Sequence, residues 1–454
     1  MQPIQVGLLG IGTVGSGTFK VLQRNQEEIR RRAGRGIAIT MVADLDIERA
    51  RRIVGAGVAV VADARAVIAN PEIDIVIELI GGTGIARTLV LEAIAAGKHV
   101  VTANKALLAV HGSEIFAAAS AQGVIVAFEA AVAGGIPIIK ALREGLTANR
   151  IDWVAGIING TTNFILSEMR SKGLDFGVVL QEAQRLGYAE TDPTFDIEGV
   201  DAAHKATIMS AIAFGVPVQF DKAYVEGITG LQAADIRYAE QLGYRIKLLG
   251  ITKRRADLQT ATHPAGGIEL RVHPTLIPST RLIANVEGAM NAVVVHGDAV
   301  GPTLYYGKGA GSEPTASAVI ADLVDITRLH TADPDHRVPH LAFQPGSLSD
   351  TPILAIDQVV TAFYLRLQVA DQTGVLARIT GILAEHAISI DAVLQRPGAG
   401  SAGPAVLAGG DRHTDLIILT HDTVEGRMQA ALLQMQALPT VLAPIVRIRK
   451  EELN

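Results

Sequence analysis

Ile4 to Gly10 is a short apolar run that passes directly into Gly10-Ile-Gly12-Thr-Val-Gly15 and then into a helical pattern. No other stretch limits the fold as much. A run without polar alternation suits a parallel strand buried on both faces. A strand that turns through spaced glycines into a helix puts the unpaired amides of the helix N-terminus at its carboxyl end. Gly10 permits the tight turn, Gly12 lets a pyrophosphate approach the backbone, and Gly15 lets the helix pack on the strand. The phosphates are expected against the Thr13 and Val14 amides. Such a fingerprint is weak by itself in a chain with 46 glycines. Its position after a strand and before a helix makes it informative.

The pattern continues in the same way. A helix is expected over Thr18 to about Arg32, then a strand over Ile37–Ala43 that ends at Asp44. An acid at that point is placed to accept hydrogen bonds from the adenosine ribose. A 2′-phosphate would be repelled by Asp44, and Ala43 before it offers no guanidinium, so NAD is favoured. Arg49, Arg51 and Arg52 follow nearby and keep NADP open as a second cofactor. A strand over Ile73–Leu79, a turn at Gly81-Gly82, a helix over Ala86–Ala96 and a strand over His99–Thr102 complete the alternation. Such alternation predicts an α/β fold with a doubly wound, Rossmann-type nucleotide domain over residues 1–135. Thr102-Ala-Asn104-Lys105 then falls at a strand's carboxyl end, where these sheets place ligands. Lys105 is therefore a candidate site residue, against the alternative of a surface lysine at a helix start.

A chain of 454 residues suggests two to four domains, and 49% hydrophobic content predicts large buried cores. The net charge of −6, with no basic run interleaved with aromatics, gives no reason to expect nucleic-acid binding. Arg30, Arg31, Arg32 and Arg35 cluster at the end of a helical pattern, where cations favour the dipole. The absence of cysteine excludes disulfides, thiolate metal sites and a cysteine nucleophile. The histidines show no ligand spacing. The N-terminal residues enter a strand pattern at once, without the features of a secretory leader. Met428 to Val446 is a long run without Asp, Glu, Lys or Arg, yet Pro439, Pro444 and three glutamines argue against a membrane span. The expectation is a soluble, cytoplasmic protein.

Between Gly187 and Lys205 the chain reads GYAETDPTFDIEGVDAAHK, with Glu190, Asp192, Asp196, Glu198 and Asp201 ahead of one lysine. On a helix, Asp201 and Lys205 are spaced i,i+4 and share a face. The arrangement suits a small zwitterion: carboxylates hold its ammonium while a lysine moves a proton at its reacting oxygen. A solvated acidic loop followed by a surface ion pair would look the same in isolation. Asn159-Gly-Thr161-Thr162-Asn163 stands between a strand (Asp152–Ile158) and a helix, and Thr161 or Thr162 is expected to cap that helix.

Six ordered segments carry a resemblance to the homoserine dehydrogenase family over nearly the whole chain. They are GLLGIGTVG, VTANKALLA, EAAVAGGIPII, GIINGTTNFIL, GYAETDPTFDIEGVDAAHKATI and YYGKGAGSEPTASAV. The resemblance implies reversible NAD(P)-dependent oxidation of L-homoserine to L-aspartate 4-semialdehyde, in threonine, methionine and isoleucine biosynthesis. It implies an α+β catalytic and dimerisation domain over residues 136–330, with 300–330 returning to the nucleotide domain, and a homodimer or homotetramer. By position, Lys205 would be the proton donor and acceptor and Lys105 the second site lysine, beside the nicotinamide. Glu190 would bind the substrate ammonium, with Asp196 and Asp201 as further polar contacts. Glu129, Val132, Gly134 and Ile136 match a monovalent-cation site in which backbone carbonyls hold sodium; a plain glycine-rich turn is the alternative. Gly307, in a later glycine loop, would approach the nicotinamide from the other side.

Thr331 to Ser349, rich in Pro, Asp and His, reads as the start of a linker over residues 331–360. Beyond it, FYLRLQV alternates as a strand, Val375–His386 is an amphipathic helix, and Ile388–Leu394 and Asp415–Thr420 are further strands. This order resembles a ferredoxin-like ACT domain over residues 361–454. Gly374 matches the glycine whose turn receives an amino-acid ligand, which implies threonine as an effector. Two departures stand out: Thr373 where proline is frequent, and a Gly/Ala/Pro-rich stretch from Pro397 to Gly410. Two other functions compete, a dehydrogenase of another short amino alcohol and a non-catalytic NAD-sensing regulator. Retention of Lys105, Lys205 and Glu190 argues against the regulator.

Overall fold

The computed structural model describes residues 2–258, 266–330, 337–397, 405–406 and 412–453. Its first sheet has six parallel strands, β1 (Ile4–Leu9), β2 (Ile37–Ala43), β3 (Ala59–Val61), β4 (Ile75–Glu78), β5 (His99–Thr102) and β6 (Val126–Ala127). They lie in the order β3-β2-β1-β4-β5-β6. Helices α1 (Thr13–Arg24), α2 (Gln26–Ala33), α3 (Ile47–Val54), α4 (Ala64–Ala69), α5 (Ile85–Ala95) and α6 (Lys105–Gln122) connect them. Successive strand residues point to opposite faces. Val6, Leu8, Ile75 and Ile77 therefore join one core, while Leu9, Val76 and Val100 join another with α5 and α6. The order reverses between β1 and β4, which opens a crevice at their carboxyl ends.

The first helical pattern departs from expectation at both ends. It starts at Thr13 instead of Thr18, and it divides at Asn25, whose backbone (φ −108°, ψ 19°) leaves helical geometry. Arg30, Arg31 and Arg32 occupy the last turn of α2, as the dipole argument requires.

A short turn α7 (Ile138–Lys140) leads into the second body. It contains β7 (Ile151–Ile157), α8 (Gly160–Lys172), α9 (Phe176–Arg185), α10 (Thr194–Ile197), α11 (Val200–Phe214), β8 (Tyr224–Val225), α12 (Ala233–Gln241), β9 (Tyr244–Arg255), β10 (Gly267–Pro278), β11 (Met290–Gly297) and β12 (Gly301–Lys308). Helix α13 (Ser312–Leu329) then returns to the first body, where Ser312 Oγ donates to the Thr13 carbonyl and Glu313 pairs with Arg24.

The C-terminal part contains β13 (Val360–Ala370), α14 (Val375–Glu385), β14 (Ile390–Pro397), β15 (Ala405–Val406), β16 (Arg412–Thr420), β17 (Thr423–Val424), α15 (Glu425–Gln436) and β18 (Val446–Lys450). Its order β18-β13-β16-β14 is the ferredoxin-like arrangement with two helices on one face. Much of the Pro397 to Gly410 stretch lies outside the described residues.

What sequence could not show is that this sheet is not separate. β18 pairs parallel with β10 (Thr275 with Arg449) and antiparallel with β13, so one sheet runs from β12 to β14 through both parts. The join is ionic as well. Arg449, fully buried, donates to both oxygens of Glu425 at 2.7 and 2.8 Å and to Glu226 at 2.8 Å. Arg366 grips both oxygens of Asp235 in α12 at 2.6 and 3.0 Å. The described end of the linker is also packed. Ile268 exchanges backbone bonds with Pro352 and Leu354, and His340 accepts from the Val126 amide. Among the described residues no helix is long and apolar enough to cross a membrane.

His99, at the start of β5, is buried and its Nδ1 accepts from the Ile125 amide at 2.9 Å. Burial, aided by His330 and Arg337, lowers its pKa from 6.5 to about 4. A folded pKa depressed below the unfolded one means that the unfolded chain takes up the extra proton. The stability this site contributes is therefore present above pH 6.5 and lost as pH falls towards 4. His99→Asn, which keeps the acceptor without the titration, is expected to be less stable than the parent at pH 7.5. The gap should narrow by about 2 kcal/mol by pH 4.5. Denaturant unfolding of both proteins at a series of pH values checks this; a gap independent of pH would contradict it.

Candidate active site

Three helices and one strand end converge on a buried ion cluster. Asp201 lies in the first turn of α11 and Lys205 one turn later, on the same face. Lys205 Nζ donates to Asp201 Oδ2 at 2.6 Å and to the Ile158 carbonyl, just past β7, at 2.8 Å. The other Asp201 oxygen, Oδ1, faces Lys105 Nζ at 3.1 Å. One carboxylate thus stands between two ammonium groups. Lys105 is about one-third exposed and Lys205 only 10%, so Lys105 faces the opening and Lys205 the interior.

The electrostatics follow from this geometry. Burial lowers the pKa of Lys205; Asp201 opposes that shift and Lys105 adds to it. For Asp201 burial acts upward, but Lys205 and Lys105 together hold it well below the usual carboxylate range. His204 does not join the cluster. Its ring packs on Phe220 and Phe195, and burial lowers its pKa to about 4, so it is neutral at pH 7.

Lys105 is aimed by a network that sequence reading did not assign. Glu78, fully buried, accepts from the Ile80 and Gly81 amides and from Thr102 Oγ1. Thr102 Oγ1 in turn accepts from the Asn104 amide. Asn104 donates to the Gly82 carbonyl and caps α6 at the Leu107 amide, which fixes the first helical residue, Lys105. The signal was visible as an Asn directly before that lysine at a strand end.

The remaining acids divide. Asp196 accepts from Asn159 Nδ2 at 2.7 Å, and Asn159 Nδ2 also donates to Asp201 Oδ2 at 2.9 Å. Glu190 lies on an exposed loop held through its carbonyl by Gln184, and its carboxylate pairs with no described residue. Asp192 accepts from the Thr194 amide and hydroxyl at the start of α10, and Glu198 accepts from Thr229. The cap of α8 is Asn159, which accepts from the Thr162 amide, and not Thr161 or Thr162.

The glycine loop sits at the crevice. Gly10 has φ +91°, and a Cβ there would meet the Leu79 carbonyl at 2.8 Å. At Gly15 a Cβ would lie 2.2 Å from the Gly10 carbonyl, so the helix approaches the turn too closely for any side chain. Gly12 faces open space, and α1 begins without a side-chain cap, so the Thr13 and Val14 amides remain for an anion. Asp44 accepts from the Ile11 and Asp46 amides, which ties the end of β2 to the glycine loop.

Glu129 is buried, and its carboxylate accepts from the Ile139 and Lys140 amides. Burial, then the neighbouring Asp322, raise its pKa to about 7 against those amides. After it the backbone turns through Ala133 (φ 55°) and Gly134 (φ 48°), and the Val132 and Gly134 carbonyls accept no hydrogen bond from described residues. The Ile136 carbonyl accepts from Ile138. Gly307 lies within β12 instead of a loop, where a Cβ would meet Ile136 at 3.1 Å. The loop that follows contains Gly309 and Gly311, and leads into α13 with Pro314 in its first turn.

The chain is similar to known proteins over its whole length. The family model described as Homoserine dehydrogenase matches residues 137–324, Homoserine dehydrogenase, NAD binding domain matches 10–129, and ACT domain matches 363–434. The chain is 59% identical to the homoserine dehydrogenase of Pseudomonas aeruginosa and 56% to that of Neisseria gonorrhoeae, over the full length of each protein. A crystal structure of a homoserine dehydrogenase from Thiobacillus denitrificans superposes with a TM-score of 0.92 at 63% identity, covering 100% of this chain and 99% of the other.

Proposed function

Because the chain belongs to the homoserine dehydrogenase family, and is an oxidoreductase acting on a CH–OH group with NAD(P), we propose that Lys205 is its proton-transfer group and that Asp201 and Lys105 set its basicity. The observation that carries this reading is the single buried carboxylate with an ammonium on each oxygen. A free lysine, with a pKa near ~10.4, is a poor base at neutral pH. Burial beside a second ammonium makes the neutral amine accessible. The bound nicotinamide supplies the hydride acceptor. In the oxidative direction Lys205 takes the proton of the substrate hydroxyl, and Lys105 stabilises charge on the same oxygen. Asp196 and the exposed Glu190 receive the ammonium of L-homoserine. In the reverse direction Lys205 returns the proton.

The cofactor would rest on the Thr13 and Val14 amides, with the adenosine ribose at Asp44. NAD is the preferred cofactor on this reading, because Asp44 disfavours a 2′-phosphate. Sodium would take the Glu129, Val132, Gly134 and Ile136 carbonyls, a role supported at 132 and 134, whose oxygens no described residue reaches, while the Glu129 carbonyl also accepts from the Val132 amide. An amino-acid effector, of which threonine is the one to test first, would bind at the turn before α14, where Gly374 (φ +88°) leaves the helix start without a side-chain cap. The enzyme would work in the cytoplasm, and its assembly as a homodimer or homotetramer is supported by the exposed Leu304 and Tyr306 on edge strand β12.

Nicotinamide reduction measured with L-homoserine and with 4-hydroxybutyrate, each against NAD and NADP, tests this reading. Homoserine should turn over with the higher kcat/KM on NAD, and loss of the amino group should cost roughly 100-fold or more. Comparable rates on 4-hydroxybutyrate would remove the ammonium site, and a clear preference for NADP would overturn the role given to Asp44.

A further inference from the structure

Asn159 joins the β7–α8 junction to both acidic positions of the site. It is 5% exposed. Its Oδ1 caps α8 at the Thr162 amide at 2.8 Å, while Nδ2 donates to Asp196 Oδ1 and to Asp201 Oδ2. The Asp201 oxygen it reaches is the one that holds Lys205. The residue before it, Ile158, gives its carbonyl to the same ammonium. Two consecutive residues therefore set where Lys205 and its partner stand.

We propose that Asn159 is a positioning residue for the reaction, an uncharged clamp that holds the substrate-facing Asp196 and Asp201, the carboxylate partner of Lys205, at fixed separation. The proposal rests on the assignment of Lys205 made above. The chemistry of the side chain matters here. Two carboxylates brought to one point repel each other, and a donor between them removes that repulsion. An amide supplies two N–H groups without adding charge. A lysine or arginine could also bridge them, but would add a third cation to Lys105 and Lys205. An aspartate would cap α8 equally well but would add a third carboxylate. The charged and titratable groups facing the clamp are Asp196 of α10, Asp201 and Lys205 of α11, and Lys105 of α6; His204 turns away towards Phe220 and Phe195.

The substitution Asn159→Asp separates positioning from capping. As a cap, Asp replaces Asn at no cost, so a purely structural role predicts unchanged kinetics and an unchanged pH profile. As a clamp, the variant loses both donors and sets a new anion beside Lys205. Its ammonium is then favoured, and the acidic limb of kcat/KM for homoserine oxidation should move up by about one pH unit. At neutral pH kcat should fall by roughly tenfold or more, with NAD affinity measured by calorimetry unchanged. Asn159→Ser, which also caps but adds no charge, should raise KM and lower kcat without moving the limb. An Asn159→Asp enzyme with the parent pH profile would overturn the clamp. An active Lys205→Met enzyme would instead overturn the underlying assignment, so the two failures are distinguishable.

Discussion

Lys205→Met is expected to lower kcat for L-homoserine oxidation by about 10²–10⁴-fold, the range typical of removing a positioned general base. Methionine keeps the length and unbranched shape of the stem, so α11 should pack as before. A buried ion pair usually leaves a costly orphan when one partner is removed. Here it does not, because Asp201 keeps Lys105 on one oxygen and Asn159 on the other. The variant should therefore fold and bind NAD normally, which calorimetric titration can establish before turnover is measured. Single-turnover reduction of NAD then isolates the chemical step. A variant with parent-like kcat would remove Lys205 from proton transfer.

Arg449→Met should destabilise the protein by about 3–5 kcal/mol, as breaking a buried charge pair commonly does. The guanidinium is fully buried and satisfies Glu425, itself fully buried, and Glu226. Without it, Glu425 retains, among the described residues, Arg447 at one oxygen. The double substitution Arg449→Met with Glu425→Gln removes both charges and should recover much of the loss. Trp153, the sole tryptophan, is buried on β7 in the same sheet and reports its unfolding by fluorescence. Urea titration of the three proteins gives the comparison. Coincident midpoints for parent and Arg449→Met would show that the cluster contributes nothing at the join.

The parts that sequence made legible share a physical cause. β5 begins and ends at the expected residues because a buried parallel strand between a helix and a ligand loop has an unbroken apolar pattern. The tight turn at Gly10 and the close helix approach at Gly15 were legible because each glycine faces a backbone atom at a distance that no Cβ tolerates. Other features were illegible for equally definite reasons. VRIRK, at the end of the chain, alternates as a half-exposed strand should, yet Arg449 is buried because its partners come from β8, the segment after it, and α15. No local pattern encodes that meeting. The helix cap at Asn159 had competitors in Thr161 and Thr162, and only the positions of Asp196 and Asp201 show what its other face does. The helix break at Asn25 likewise has no proline or glycine to announce it.

The shared sheet also bears on how the chain is made. β10 and β13 are both complete well before β18 leaves the ribosome, and β18 covers an edge of each. Until then both edges present unpaired backbone groups, the usual template for wrongful pairing between nascent copies. Completion of the shared sheet thus waits on five residues, Val446–Lys450, whose arrival joins the second body to the C-terminal part in one event.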